Sequence, residues 1–164
     1  MQKLLLSTAL TIALHGPVYG QEIVLGAGYS DYSFAGAENG TVLSLEYLHS
    51  PFYEGERISA RFSGVLEAVT TGDGFVGAGI STSFDLKKGW FIETSVMPGA
   101  YFENAPLNDL GSTFEIRSLI ALGKQLKNGT AVSLALSHKS NASTAPLNPG
   151  VNVLSLRWHM PLGG

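Results

Sequence analysis

His138 and Ser140 set an imidazole and a hydroxyl two residues apart near the end of an alternating segment, Thr130–Ser140. On a strand this spacing puts both side chains on one face, the least that a base needs to activate a nucleophilic oxygen. The same two groups also suit a rim of interfacial polar residues that does no chemistry, and His-x-Ser alone does not separate the two. What the chain lacks narrows the field. There is no Cys, which excludes thiolate nucleophiles, disulfides and Cys-ligated zinc. The His residues, at 15, 49, 138 and 159, show none of the HxH, HxxxH or HExxH spacings of a metal site. Neither a metal nor another cofactor is expected. A net charge of −3 and a pI near 5.7 leave no basic footprint for nucleic acid.

The elements that must position this pair are strands. Met1-Gln2-Lys3, the apolar stretch Leu4–Leu14 and the small-residue exit Val18-Tyr19-Gly20 form the three-part pattern of a secretory signal peptide, residues 1–20, cut before Gln21. The apolar stretch is shorter than the roughly 20 residues of a spanning helix. Over residues 21–164 the apolar positions alternate with period two in eight segments. These are Glu22–Ser33, Thr41–Ser50, Arg57–Val69, Phe75–Phe84, Trp90–Phe102, Thr113–Leu126, Thr130–Ser140 and Val151–Leu162. Gly, Pro and Asn-Gly clusters separate them, and Asn39-Gly40-Thr41, Asn128-Gly129-Thr130 and Asn141-Ala142-Ser143 read as turn chemistry rather than glycosylation sites.

Which face is apolar decides what surrounds the sheet. Val132, Leu134 and Leu136 share one face of their segment, and Ala131, Ser133, Ala135 and Ser137 the other. Elsewhere the minority face carries small residues together with Glu46, Arg61, Glu67, Glu93, Glu115 and Arg117. A soluble barrel or sandwich holds its large side chains inside and its charges outside. Here charges of both signs can pair in a narrow lumen while the aliphatics face lipid. An even strand number and segments near the 9–11 residues of a tilted spanning strand point the same way. Only 14% of residues are charged, against about 25% in soluble domains, and 20 are Gly. The expected fold is an all-β, eight-stranded antiparallel transmembrane β-barrel over residues 21–164, with Tyr29, Tyr47, Trp90, Phe102 and Trp158 as interface anchors. A soluble β-sandwich is the competing architecture.

With both termini periplasmic, His138 to Ser140 reach the outer rim. Asn152 continues the outward face of the last segment, so His138, Ser140 and Asn152 fall at one level on neighbouring strands. Lys127-Asn128-Gly129 reads as a three-residue hairpin loop with Gly129 left-handed, because a two-residue loop would pair outward with inward positions. That register sets Ser118 opposite His138 and Ile116 opposite Ser140. Phe114, Ile116 and Leu136 then flank the hydroxyl with apolar surface fit for an acyl chain.

His138-Lys139-Ser140-Asn141-Ala142, Asn148-Pro149-Gly150-Val151-Asn152 and Leu154-Ser155-Leu156-Arg157 together resemble the lipid A 3-O-deacylase family of bacterial outer-membrane enzymes. The resemblance in motif is dense over residues 113–158. It implies hydrolysis of a lipid A acyl ester in lipopolysaccharide, without a cofactor, at the outer surface of the barrel. It also implies Ser140 as nucleophile, His138 as general base, and Asn148 with the backbone N–H of Ala142 as oxyanion donors. The family's third member is a Glu twelve residues after the Ser; here that position is Asn152. Glu103 and Asp109 in the neighbouring outer loop are alternative carboxylates, ranked below Asn152. Two other readings stay open: a non-enzymatic adhesin-like or membrane-stabilising barrel, and a different outer-membrane lipid hydrolase or acyltransferase. The oligomeric state is also open, a homodimer included. If the leader is read correctly, Edman sequencing of the protein extracted from outer membranes starts at Gln21; a start at Met1 contradicts it.

Overall fold

The computed structural model describes residues 20–163, so the expected leader lies outside the described residues apart from Gly20. Nine strands form one antiparallel sheet: β1 (Gln21–Tyr32), β2 (Thr41–Leu48), β3 (Tyr53–Glu54), β4 (Ile58–Val69), β5 (Gly74–Asp85), β6 (Trp90–Phe102), β7 (Phe114–Gln125), β8 (Ala131–Ser140) and β9 (Val151–Leu162). All but the two-residue β3 make a closed barrel. The order runs β2-β1-β9-β8-β7-β6-β5-β4, and β2 pairs with β4 to complete the ring. The sandwich alternative is thereby set aside. Closure removes every long sheet edge, which an outward-facing apolar barrel in lipid requires.

One connection differs from expectation. In sequence, the separator between the segments ending at Ser50 and starting at Arg57 reads as a plain turn, Pro51–Gly55. Instead, Tyr53 and Glu54 pair with Ala60 and Ser59 as β3, and Phe52 stacks on Phe62 at 4.7 Å. Pro51 offers no N–H to a ladder. The chain resumes pairing just after it, with Phe52 N–H donating to the Ala60 carbonyl at 3.0 Å.

The two faces are chemically inverted relative to a soluble protein. Leu156 is 68% exposed and Leu43 61%, whereas Glu46, Glu93, Arg117 and Arg157 are buried in the lumen. Burying an unpaired charge is prohibitive, so each must find a partner across the barrel. Glu46 of β2 accepts from the guanidinium groups of Arg117 of β7 and Arg157 of β9, each at 2.9 Å. Glu67 of β4 takes Arg117 Nε at 2.7 Å and Lys139 Nζ of β8 at 2.5 Å. Glu93 of β6 pairs with Arg157 at 2.8 Å. Three carboxylates and three cations thus join six strands into a neutral cluster. Towards the end where β1 starts and β9 finishes, Glu22 of β1 pairs with Arg61 of β4 at 2.8 Å. A polar cavity of about 350 Å³ opens there, lined in part by Glu22, Arg61, Glu93 and His159.

The opposite end is plugged by its own loops. Leu110, from the loop between β6 and β7, packs with Tyr32, Phe75, Met97, Tyr101 and Val151. Asp73, between β4 and β5, accepts from Tyr32 Oη, Thr71 Oγ1, Asn108 Nδ2 and the N–H groups of Asn104 and Ala105. Burial opposes its ionisation, but these donors outweigh that and hold the Asp73 carboxyl below its ordinary value. The plug fixes the loop on which the outer site leans.

Removing Glu46 leaves three buried cations against two carboxylates, so one positive charge goes uncompensated. Glu46→Ala is expected to cost about 3–5 kcal/mol, read as a lower urea midpoint for the barrel in detergent micelles. An unchanged midpoint would show that water or other carboxylates replace it.

Candidate active site

The site is assembled from register. Leu126 N–H donates to the Thr130 carbonyl at 2.8 Å, closing a loop of Lys127, Asn128 and Gly129 in which Gly129 has φ 83°. Only a left-handed residue fits there, and Gly meets no steric cost in that region. The three-residue loop keeps outward positions opposite outward positions. Ser118 therefore faces His138 and Ile116 faces Ser140 across β7 and β8. On the other side His138 faces Asn152 of β9.

His138 Nδ1 and Asn152 Oδ1 lie 2.9 Å apart. The amide oxygen only accepts, so this contact puts the ring proton on Nδ1 and leaves the Nε2 lone pair free. The His138 ring edge, Cε1 and Nε2, lies against the α-carbon of Gly150. A methyl group there would sit 2.8 Å from Cε1 and 3.3 Å from Nε2. Gly150 also has φ +70°. No hydrogen bond joins Ser140 to His138; the hydroxyl is half-buried beside the exposed ring, two residues further along the same strand face. Catalytic hydrogen bonds of this kind often tighten only when substrate binds.

A shallow cleft of about 270 Å³ runs along the outward face beside His138, lined in part by Ser118, Ile120, Leu136 and Asn152. Of the apolar groove residues expected, Leu136 lines it. Ile116 and Phe114 lie outside the cleft, further along β7, with Ile116 beside Ser140. Ile120 lines the cleft and was not anticipated, although the period-two pattern of β7 already put it on the outward face.

The loop after β8 is organised by Asn141, which is fully buried. Its Nδ2 donates to the carbonyls of Leu110 at 3.0 Å and Leu147 at 2.7 Å, tying this loop to the plug. Its Oδ1 accepts from Ser143 N–H, and its carbonyl from Thr144 N–H, both at 3.0 Å. Between them Ala142 (φ 52°) and Ser143 (φ 63°) are both left-handed, a strain of about 1 kcal/mol or more each. Asn148 Oδ1 accepts from Asn141 N–H at 3.1 Å, so the Asn148 Nδ2 group is the one left to donate. The Ala142 N–H has no partner among the described residues. The sequence motifs include both Asn141 and Gly150 but give neither a role. The Pro-Gly pair before the last strand was the available signal for the latter.

Glu103 and Asp109 make no hydrogen bond or ion pair with His138. They turn to each other, and partial desolvation together with the Asp109 charge raises the Glu103 carboxyl above its ordinary value. A second Ser–His–carboxylate chain exists inside the barrel. Ser133 Oγ lies 2.9 Å from His159 Nε2, and His159 Nδ1 lies 3.3 Å from Glu22 Oε2. Ser133 and His159 are 3% and 2% exposed, so no acyl ester reaches that hydroxyl. The lumenal chain has the Ser–His contact that Ser140 and His138 lack, but only the outer pair is open to substrate.

A closed eight-stranded barrel with an apolar outer wall and a charged lumen is the architecture of an outer-membrane protein. The family model for lipid A 3-O-deacylase (PagL) matches residues 29–161, and the chain belongs to that family of outer-membrane carboxylic ester hydrolases acting on lipid A. Among solved structures it resembles the crystal structure of the outer membrane enzyme PagL, with a TM-score of 0.71 at 17% identity over 86% of this chain and 99% of that one. It also resembles Neisserial surface protein A, with a TM-score of 0.60 at 11% identity over 87% and 97% of the two chains. At these identities the structural likeness speaks for the barrel fold alone. No curated protein matches. The family match selects lipid A deacylation from the readings the sequence left open.

Gly150→Ala is expected to push the His138 ring aside and lower kcat on lipid A about a hundredfold, as a misplacement near 1 Å does. The heat-modifiable shift of the folded barrel on gels should persist.

Proposed function

We propose that Ser140 is the nucleophile of the deacylase and His138 its general base, with Asn152 orienting the imidazole. In this reading the substrate's ester-linked 3-hydroxyacyl chain lies along the outward cleft beside Leu136, against the apolar flank of Ile116 and Phe114. Ser140 Oγ attacks the ester carbonyl carbon while its proton passes to His138 Nε2. Asn148 Nδ2 and the Ala142 N–H stabilise the tetrahedral oxyanion. Collapse breaks the bond to the glucosamine 3-oxygen, which takes the proton from His138. Water, deprotonated by the same ring, then attacks the acyl-enzyme and releases the 3-hydroxy fatty acid, regenerating Ser140.

The observation that carries this reading is the 2.9 Å contact of His138 Nδ1 with Asn152 Oδ1. It selects the tautomer with a free Nε2 on the side of the ring away from Asn152. Replacing a triad acid by an amide costs about 10⁴ in a serine protease because the tautomer is wrong. Here the amide presents oxygen, so that error is avoided, although Asn152 brings no charge of its own. Support for the oxyanion assignment comes from the two donors left without partners once the loop's own bonds are made. Every proposed group belongs to one chain, so a single barrel carries the whole site whether or not barrels pair.

Lipid A mass spectra from cells expressing each variant test this. Ser140→Ala should leave the full acyl complement with the barrel folded in the outer membrane; continued 3-O-deacylation in that variant would falsify the assignment. Asn152→Leu should reduce the rate by about 10²–10⁴, because Nδ1 loses its acceptor.

A further inference from the structure

Resting on the catalytic reading above, we infer that Asp31 of β1 is a positioning residue of the site, holding the Asn152 amide and supplying from the next strand the negative charge that Asn152 lacks. Asp31 is the direct cross-strand partner of Asn152. With the pairings of His138 to Asn152 and Ser118 to His138, one polar row runs Ser118, His138, Asn152, Asp31 across β7, β8, β9 and β1. All four side chains point outward by the alternation of their strands.

The hydrogen-bond inventory of that row is incomplete in a specific way. Asn152 spends its Oδ1 on His138, and its Nδ2 has no partner among the described residues. The Asp31 carboxylate makes no ion pair or hydrogen bond there either. Side chains directly opposite in an antiparallel pair have Cβ atoms roughly 4.5–5.5 Å apart, so an amide N–H and a carboxylate oxygen meet by rotamer choice alone. The backbone beneath them is fixed. Tyr32 pairs with Val151, Tyr32 N–H donates to Asn39 Oδ1 at 2.9 Å, and Ser33 N–H donates to the Gly150 carbonyl at 3.4 Å.

The outward faces of these four strands are otherwise apolar or neutral over this half of the barrel, with Tyr29, Ile120, Leu136 and Leu154 near the row. Asp31 is their only carboxylate; the one outward cation, Lys124, lies at the opposite end of β7. The carboxylates considered from sequence, Glu103 and Asp109, are engaged with each other. An ionised side chain on a membrane-facing wall is costly unless it is used, and the imidazolium formed when Ser140 attacks is the charge that needs it. Asn152 donating to Asp31 also polarises its own carbonyl, which strengthens the bond it accepts from His138. Two strand spacings separate carboxylate from imidazolium, about 9.5 Å. At an effective dielectric near 20, that attraction is worth roughly 10- to 20-fold in rate.

The test is a double-mutant cycle on purified barrels in detergent with lipid A as substrate, each checked for heat modifiability. D31N alone should lower kcat roughly 10- to 20-fold and leave KM unchanged, while D31E should restore most of the rate. N152E places the charge directly on His138, so adding D31N to it should cost nothing or even raise kcat by removing a like charge from the opposite strand. Equal losses in both backgrounds, a rise in KM alone, or no effect of D31N would each overturn the inference. Failure of the catalytic reading itself shows differently, as deacylation that survives Ser140→Ala whatever residue 31 is.

Discussion

The ion cluster in the lumen is the constraint on which the rest of the barrel depends. Lipid claims the outer face, and inside the barrel Glu46, Glu67, Glu93, Arg117, Lys139 and Arg157 neutralise one another. Glu46 lies between Arg117 and Arg157, and Glu67 between Arg117 and Lys139. These contacts need β2, β4, β7, β8 and β9 in one stagger, because a slip of one residue would turn each charge into the lipid. The apolar exterior tolerates many staggers; the lumen tolerates few. Specificity of register therefore comes from inside, although the energetic gain of burial comes from the lipid face.

Register is also what makes the site. His138 and Ser140 are outward because Lys139 of β8 is inward, Asn152 because Arg157 of β9 is inward, and Asp31 because Glu22 of β1 is inward. Lys139 lies between the two candidate catalytic residues and points the opposite way, to Glu67. A lumenal ion pair thus anchors the very stretch of strand that presents the imidazole and hydroxyl to the membrane. The outer rim is a region of falling dielectric, where a hydrogen bond such as that between His138 and Asn152 is stronger than in water. The same low dielectric makes the charge that an amide lacks matter more, because an imidazolium there is poorly solvated.

The loops contribute rigidity rather than a lid. Asn141 links the turn bearing Ala142 to the carbonyl of Leu110 in the plug, and the plug is gathered by Asp73. Two non-glycine residues in the left-handed region persist because this buried amide over-determines them. The price of that strain is met by contacts inside the barrel mouth, away from the substrate face. The lumenal Ser133–His159–Glu22 chain has the Ser–His contact that the outer site lacks, but no access, which shows how little a triad of distances means without its surroundings.

Much of this was legible in the residues. Period two, turn chemistry and the sorting of Leu against Glu and Arg determined an eight-stranded barrel and which face meets lipid, because alternation is a local property that lipid and lumen read in opposite senses. The three-residue loop at Gly129 followed from parity, and with it the rows that join Ser118, His138 and Asn152. His138 and Ser140 stood out through the resemblance of the motifs around them to the deacylase family, since their spacing alone does not distinguish a site from a polar rim. Other features depended on contacts between distant parts of the chain. Asp31 is far from Asn152 in sequence and adjacent only because β1 closes onto β9. Gly150 matters because a ring from another strand rests on it, and Asn141 because a loop from between β6 and β7 folds beneath it. Glu103 and Asp109, plausible by proximity in a string of loops, turn to each other. Closure of the ring decides which residues become neighbours, and no local pattern carries that information.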